Sequence, residues 1–122
     1  MATTVSRRFD VSNPPRVVVS RRGEAVNAAQ TVVALGGELD AAALNRLVET
    51  FDDAIAWDDA DVIVDLTDVS FIGAGWIGTL VRRRVTLEAQ HRELTLRSPS
   101  RVVHRLLDLC GLSYLIEPDV AS

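Results

Sequence analysis

Gly73-Ala74-Gly75-Trp76-Ile77-Gly78 is the stretch of this chain best suited to meet a ligand. It follows the apolar run Val62 to Leu66 and a short connection, and it opens a helix. Backbone N–H groups at a helix N-terminus lack intrahelical partners and lie at the positive end of the helix dipole, so such a turn attracts an anion or a partner's surface. The spacing matches G-x-G-x-x-G, with which nucleotide-binding folds bring a pyrophosphate onto a helix. Glu93 even lies at roughly the downstream distance of the ribose-binding acid in such folds. Three features oppose that chemistry. Glu93 precedes its strand instead of following it. Trp76 puts bulk where the chain should approach a pyrophosphate. Only about one more strand–helix unit follows, too little for a substrate domain. A small nucleotide-binding protein using Gly73-Ala74-Gly75 is therefore kept only as a lesser alternative.

Covalent catalysis needs a nucleophile with a base in reach. The two histidines are His91, between Gln90 and Arg92 near a helix end, and His104, between Val103 and Arg105. Neither neighbourhood is that of a triad or a metal pair, and both read as surface or structural residues. The single cysteine, Cys110, excludes an intramolecular disulfide and sits in LLDLC, where a free cysteine serves as a small buried hydrophobe. No Cys/His group has zinc spacing. Asp65 and Asp68 sit at a strand end, where turn and capping roles are commonest. The expectation is a protein that is not an enzyme, with no cofactor and no metal.

Bulk properties bound the class of protein. The 122 residues fit one domain, and 48% hydrophobic with 25% charged residues is enough to bury a core. The net charge of −4 gives no general argument for nucleic acid. All 13 basic residues are arginines, which reads as a compositional bias of the source. Arg82, Arg83 and Arg84 form the tightest basic run, read as a solvated helix face. No apolar stretch is long enough to cross a bilayer. Ser6-Arg7-Arg8-Phe9 is similar to a twin-arginine export signal but lacks the apolar region that should follow, so a cytoplasmic protein is expected.

The elements that must position the turn follow from periodicity. Residues 1–15 read as a loose or edge-pairing arm ending in Asn13-Pro14-Pro15. Arg16–Ser20 and Thr31–Leu35 are β-branched strands, able to pair as a hairpin across a polar loop containing Gly23 and Asn27. Gly36-Gly37 breaks the second strand, and Asp40 is placed to cap a helix from Ala41 to about Ala56, with Leu44, Leu47, Val48, Phe51 and Ile55 as its buried stripe. Trp57 and the acidic turn Asp58-Asp59-Ala60-Asp61 follow. Val62–Leu66 is the central strand, and Thr67–Ile72 connects it to the glycine turn. A second helix runs from about Ala74 to near Gln90, with Ile77, Leu80, Val81 and Val85 inward. Glu93–Arg97 is a strand, and Ser98-Pro99 starts a third helix, with Ser98 as cap and Val103, Leu106, Leu107 and Cys110 inward. Gly111 ends it in the left-handed conformation, with Leu112 folding back. Tyr114-Leu115-Ile116 forms a last short strand or turn. The order β-β-α-β-α-β-α implies an α/β fold: a mixed sheet of about four to five strands and three main helices. The domain spans 16–116, followed by a tail over 117–122.

The run DLTDVSFIGAGWIGTLV resembles the signature region of STAS domains, the family of bacterial anti-sigma factor antagonists. The family pattern is an apolar strand, Asp-Leu, a short connection, then Phe-Ile-Asp-Ser-Ser-Gly-Leu-Gly opening a helix. Asp65-Leu66, Phe71-Ile72 and Ile77-Gly78 match it. Upstream, Gly37-Glu38-Leu39-Asp40 resembles the family's Gly-Glu-Leu-Asp. Downstream, Ser98-Pro99, Val103, Leu106-Leu107-Asp108 and Cys110-Gly111-Leu112 resemble its third helix and Ser-Gly-Leu ending. The resemblance implies a single STAS-like domain acting by partner switching. The unphosphorylated antagonist binds an anti-sigma factor of the serine-kinase type, freeing a sigma factor, and phosphorylation of the first serine in the turn breaks the complex. About two negative charges placed at an interface core cost several kcal/mol unless a cation meets them.

The chain departs from the family at the decisive place. Asp-Ser-Ser-Gly aligns with Gly73-Ala74-Gly75-Trp76, so the phosphoacceptor position is Ala74, which has no hydroxyl. Thr67, Ser70 and Thr79 are nearby, but none aligns with the acceptor. The expected partner-binding residues are Asp40, Gly73, Ala74, Gly75 and Trp76. Asp40 combines a family contact position with the role of helix cap. For Trp76 the sequence leaves two alternatives open, an exposed interface anchor or a core residue. The expected function is a non-catalytic antagonist of an anti-sigma factor or related regulator, acting without phosphorylation of this turn. The family's other roles, as a subunit of a lipid-transport ATPase or a sensory scaffold, stand as the alternative, in which Arg82–Arg84 would dock on a nucleotide-binding subunit. Homodimerisation is left open.

Overall fold

The computed structural model of the chain describes residues 2–5, 15–22 and 30–118. Its elements are β1 (Ala2–Val5), β2 (Arg16–Arg22), β3 (Gln30–Leu39), α1 (Ala41–Ala56), β4 (Asp61–Ile72), α2 (Ala74–Ala89), β5 (Leu94–Arg97), α3 (Arg101–Leu109) and a 3₁₀ turn, Ser113–Leu115. The five strands form one sheet in the order β1-β2-β3-β4-β5. β1 with β2 and β2 with β3 are antiparallel, whereas β3 with β4 and β4 with β5 are parallel. A parallel pair needs a crossover, and α1 and α2 provide the two that this sheet requires. From β2 onward the order is the β-β-α-β-α-β-α expected from periodicity. The loop positions Gly23 and Asn27 and the end of the tail lie outside the described residues.

One face of the sheet carries the core. The register aligns Val17 with Leu35, Val19 with Val33, Val33 with Val64, Val62 with Leu94 and Val64 with Leu96, and all are buried. Directly paired residues point to the same side, so these form continuous apolar rows. Leu47, Phe51 and Ile55 of α1, Trp76 and Leu80 of α2, and Val103 and Leu107 of α3 close the same cluster.

Several expectations need correction. β3 does not break at Gly36-Gly37 but runs to Leu39, and the expected connection Thr67–Ile72 is the second half of β4. The two halves stay paired because β4 carries extra residues. Ala34 pairs with Asp65 and Gly36 with Asp68, then Gly37 with Val69 and Glu38 with Phe71. Gly37 takes φ 85°, a left-handed value that glycine adopts without a Cβ penalty. Gly36 leaves room for Arg16 to cross β3: an added Cβ would sit 2.5 Å from the Arg16 guanidinium carbon, while the same guanidinium reaches Asp68 of β4 at 2.8 Å. The cap of α3 is Ser100, whose hydroxyl accepts from the Val103 N–H at 3.2 Å. Ser98 instead takes φ 54° and turns the chain out of β5. Val85 is 56% exposed, because the buried line of α2 passes through Trp76, Leu80 and Leu87. Cys110 is exposed, since it caps α3 where helical periodicity has ended.

Other readings agree with the structure. Asp40 caps α1, and Leu47, Phe51 and Ile55 are buried while Leu44 and Val48 are half-buried. Gly111 takes φ 74°, its N–H donates to Asp108 O, and Leu112 N–H donates to Leu107 O, the two bonds of a Schellman cap. The same motif closes α2 with a non-glycine residue: His91 takes φ 60° and donates to Glu88 O, and Arg92 N–H donates to Leu87 O.

That turn sends Arg92 inward, where its side chain is only 5% exposed. Its guanidinium donates to Ile55 O at 2.9 Å, Ala60 O at 2.8 Å and Gln90 Oε1 at 3.0 Å. Ile55 lies in the last turn of α1, so a cation sits at the negative end of that helix and satisfies a carbonyl the helix leaves orphaned. Replacing Arg92 by Leu strands these carbonyls, and we expect the variant to lose about 2–4 kcal/mol. Urea unfolding should show a lower midpoint at an unchanged slope; an unchanged midpoint would mean that the buried cation contributes nothing net.

Candidate functional site

The glycine turn is placed by the parallel pairing of β3 with β4. That pairing ends at Leu39 opposite Ile72, and the next residue on each strand is a helix cap, Asp40 for α1 and Gly73 for α2. The two caps have nearly the same extended backbone, φ −92° and ψ −172° at Asp40, φ −92° and ψ 172° at Gly73. Gly73 N–H donates to Leu39 O at 2.9 Å and ties the two turns together. Two helix N-termini therefore emerge side by side at one end of the sheet. They differ in capping. The Asp40 carboxylate accepts from Ala43 N–H at 2.9 Å, whereas no side chain caps α2.

Around this pair the surface is small, apolar and acidic. Ala74 and Gly75 are exposed and Gly73 is half-buried. Ala41 and Ala42 are exposed on α1, Glu38 and Asp40 beside them, and the Phe71 ring is 40% exposed. Gly75 keeps the helices close: a Cβ there would come within 3.0 Å of Leu44 Cδ2. Asp40, Gly73, Ala74 and Gly75, expected from sequence as one site, are thus brought together.

Trp76 resolves toward the core alternative. It is fully buried and packs edge-to-face on Phe51 of α1, with centroids 5.6 Å apart and planes at 81°. Its indole N–H is buried and has no hydrogen-bond partner among the described residues. The burial also removes one objection to a nucleotide, since Trp76 does not obstruct the turn. The objection from Glu93 hardens. Glu93 sits at the N-terminal end of β5, its N–H bound to Asp61 at the start of β4, whereas the turn lies at the opposite, C-terminal end of β4.

The hydroxyls are equally clear. Thr79 is buried and donates to Gly75 O at 2.9 Å within its own helix. Thr67 and Ser70 are exposed on β4, and the Thr67 hydroxyl donates to Asp65 at 2.6 Å. His91 lies at the far end of α2, about 24 Å along the helix from Gly73. His104 is exposed on α3. The turn therefore offers backbone groups, methyl groups, one aromatic edge and two carboxylates. Among the described residues no group of three His, Cys, Asp or Glu is arranged to hold a metal, and no helix is long and apolar enough to cross a membrane.

Phe71 was not legible as a site residue. The irregular pairing of β4 shifts the inward–outward alternation between Leu66 and Phe71, and nothing in the local pattern signals that shift.

With this geometry in view, similarity to known proteins is informative. No curated protein sequence matches the chain. The structure of the anti-sigma factor antagonist SpoIIAA in its unphosphorylated form aligns with a TM-score of 0.63 at 25% identity, over 80% of this chain and 86% of that one. The Bacillus cell fate determinant SpoIIAA in the phosphorylated form aligns with a TM-score of 0.57 at 24% identity, over 80% of this chain and 89% of that one, a likeness of fold. The sequence profile of the STAS domain matches residues 18–122, spanning the sheet from β2, all three helices and the glycine turn between them. The chain belongs to the STAS-domain family.

Proposed function

We propose that this protein is a non-catalytic, cytoplasmic binding module, an anti-sigma factor antagonist whose docking turn is not switched by phosphorylation. The carrying observation is Ala74, an exposed methyl group at the first position of α2, where the family places its acceptor hydroxyl. Likeness to an antagonist in its unphosphorylated form supports the reading. The partner is an anti-sigma factor of the serine-kinase type or a related regulator. It rests on Asp40, Gly73, Ala74 and Gly75, with the Phe71 edge beside them. Trp76 contributes from beneath, by fixing α2 against α1.

The mode of action follows from what the turn lacks. The uncapped end of α2 presents free backbone donors and no bulk, so a partner can approach closely. With no hydroxyl at Ala74, no charge can be added there to repel or desolvate that partner. Binding is then governed by concentration and by the partner's own state. The reading as a transporter subunit, in which Arg82–Arg84 would dock on a nucleotide-binding subunit, gains no separate support from this face. Arg83 forms a bidentate pair with Asp52, Arg84 pairs with Glu88 and stacks on Tyr114, and Arg82 donates to Thr79. Arg83 and Arg84 are half-buried, and Arg82 is exposed.

Incubation with ATP and a cognate kinase should leave the intact mass unchanged; a stoichiometric phosphate at Thr67 or Ser70 would contradict the proposal. Ala74→Ser should restore an acceptor and the mass increase that goes with it. Ala74→Asp places a carboxylate at a helix N-terminus, which the helix tolerates, while partner affinity measured by calorimetry should fall about 10- to 100-fold. Unchanged affinity would place the interface elsewhere.

A further inference from the structure

The outer surface holds two patches that the glycine turn does not use, and their chemistry is complementary. The first surrounds Trp57, which closes α1 and is 73% exposed. Asp53 and Asp59 are exposed beside it in sequence, and the last turn of α1 contains no basic residue. Arg92 neutralises the inner side of this helix end, and Asp58 turns toward Thr31 and Arg92. Among the described residues the outward side carries Asp53 and Asp59, at the negative end of the α1 dipole. The second patch is the outer face of α3. Val102 is 56% and Leu109 is 78% exposed, two helical turns apart on one side, with Arg105 between them. A shallow open depression runs along this face, lined by Val102, Leu109 and Pro99 with Arg101, Arg105 and one carboxylate, Asp108. Among the described residues Arg101 and Arg105 form no ion pair.

We propose that the depression on α3 receives Trp57 from a second copy of this chain. The indole supplies the large amphipathic anchor that small interfaces depend on, and it fills the gap between Val102 and Leu109. Arg105 stacks on its face, as Arg84 already does on Tyr114 within the chain at 5.2 Å. Asp53 and Asp59 form the rim opposite Arg101 and Arg105. Plug and socket lie on different helices, so the contact is heterologous. One copy's α1 meets the next copy's α3, and the association does not close on two copies unless a ring forms. One aromatic anchor with a charged rim makes a small interface, so the association is concentration-dependent and weakened by salt. Trp57 and the α3 face share no residue with the glycine turn, so this inference stands apart from the proposed function.

Sedimentation velocity tests it on the full chain. The wild-type average mass should rise with protein concentration and fall back with added salt. Trp57→Ala and Arg105→Glu change exposed positions, so both should keep the wild-type far-UV spectrum and both should be monomeric. Mixed together, they should form a one-to-one dimer, because Arg105→Glu still carries a plug and Trp57→Ala still carries a socket. In that mixture the emission of Trp57 should shift to the blue as it leaves water, while the buried Trp76 stays constant. A wild-type protein that is monomeric at every attainable concentration would overturn the proposal. So would association that persists in either variant, or a mixture that stays monomeric, and in those cases the α3 face belongs to a different partner.

Discussion

The parallel pairing of β3 with β4 is the constraint on which the rest of this structure depends. Because the pairing ends at Leu39 and Ile72, the chain leaves both strands at the same level and starts a helix from each. The Gly73 N–H to Leu39 O bond then fixes one helix start against the other. The irregular pairing upstream of this point sets how far β4 extends, and it turns Phe71 outward. The features on which the proposed docking surface rests follow: two adjacent positive helix ends, small residues over them and carboxylates at the edge. If β3 and β4 slipped by one residue, each side chain beyond the slip would change face and the surface would be lost.

The helices that carry the site are held together below it and beside it. Trp76 and Phe51 pack α2 on α1 in the core, directly under the turn. Further along, Arg83 and Asp52 link the two helices with bonds of 2.6 and 2.9 Å in a bidentate pair, and this partner raises the Arg83 pKa above its ordinary value against the opposing effect of burial. Arg92 anchors the far end of α1. Such a frame suits a surface that works as it stands. A binding turn without a modifiable group gains affinity from being held in its bound shape, since less freedom is lost on association.

Much of this was readable from residue types alone, for identifiable reasons. Helix boundaries were legible where chemistry marks them: Asp40 as a cap, Gly111 as a left-handed stop, the apolar stripe Leu47, Phe51, Ile55. The absence of a hydroxyl at position 74 needs no coordinates at all. What was not legible depends on long-range partners. The second half of β4 reads as a polar connection because its pairing with β3 is irregular, and that irregularity depends on Gly36, Gly37 and the Arg16–Asp68 pair, which are distant in sequence. Ser98 looks like a cap, but the exit from β5 imposes a left-handed turn on it and passes the role to Ser100. Whether Trp76 pointed in or out hung on Phe51, one helix earlier. The burial of Arg92 hung on carbonyls more than thirty residues away.

The central claim is that the paired helix starts are the surface a regulatory partner occupies. Hydrogen–deuterium exchange of this protein, alone and with a bound anti-sigma factor of the serine-kinase type, measures it directly. Protection should appear in residues 38–44 and 71–76 and leave the opposite end of the sheet, around Arg92, unchanged. Protection confined to α3 or to the Arg92 end, with the glycine turn exchanging as in the free protein, would contradict it.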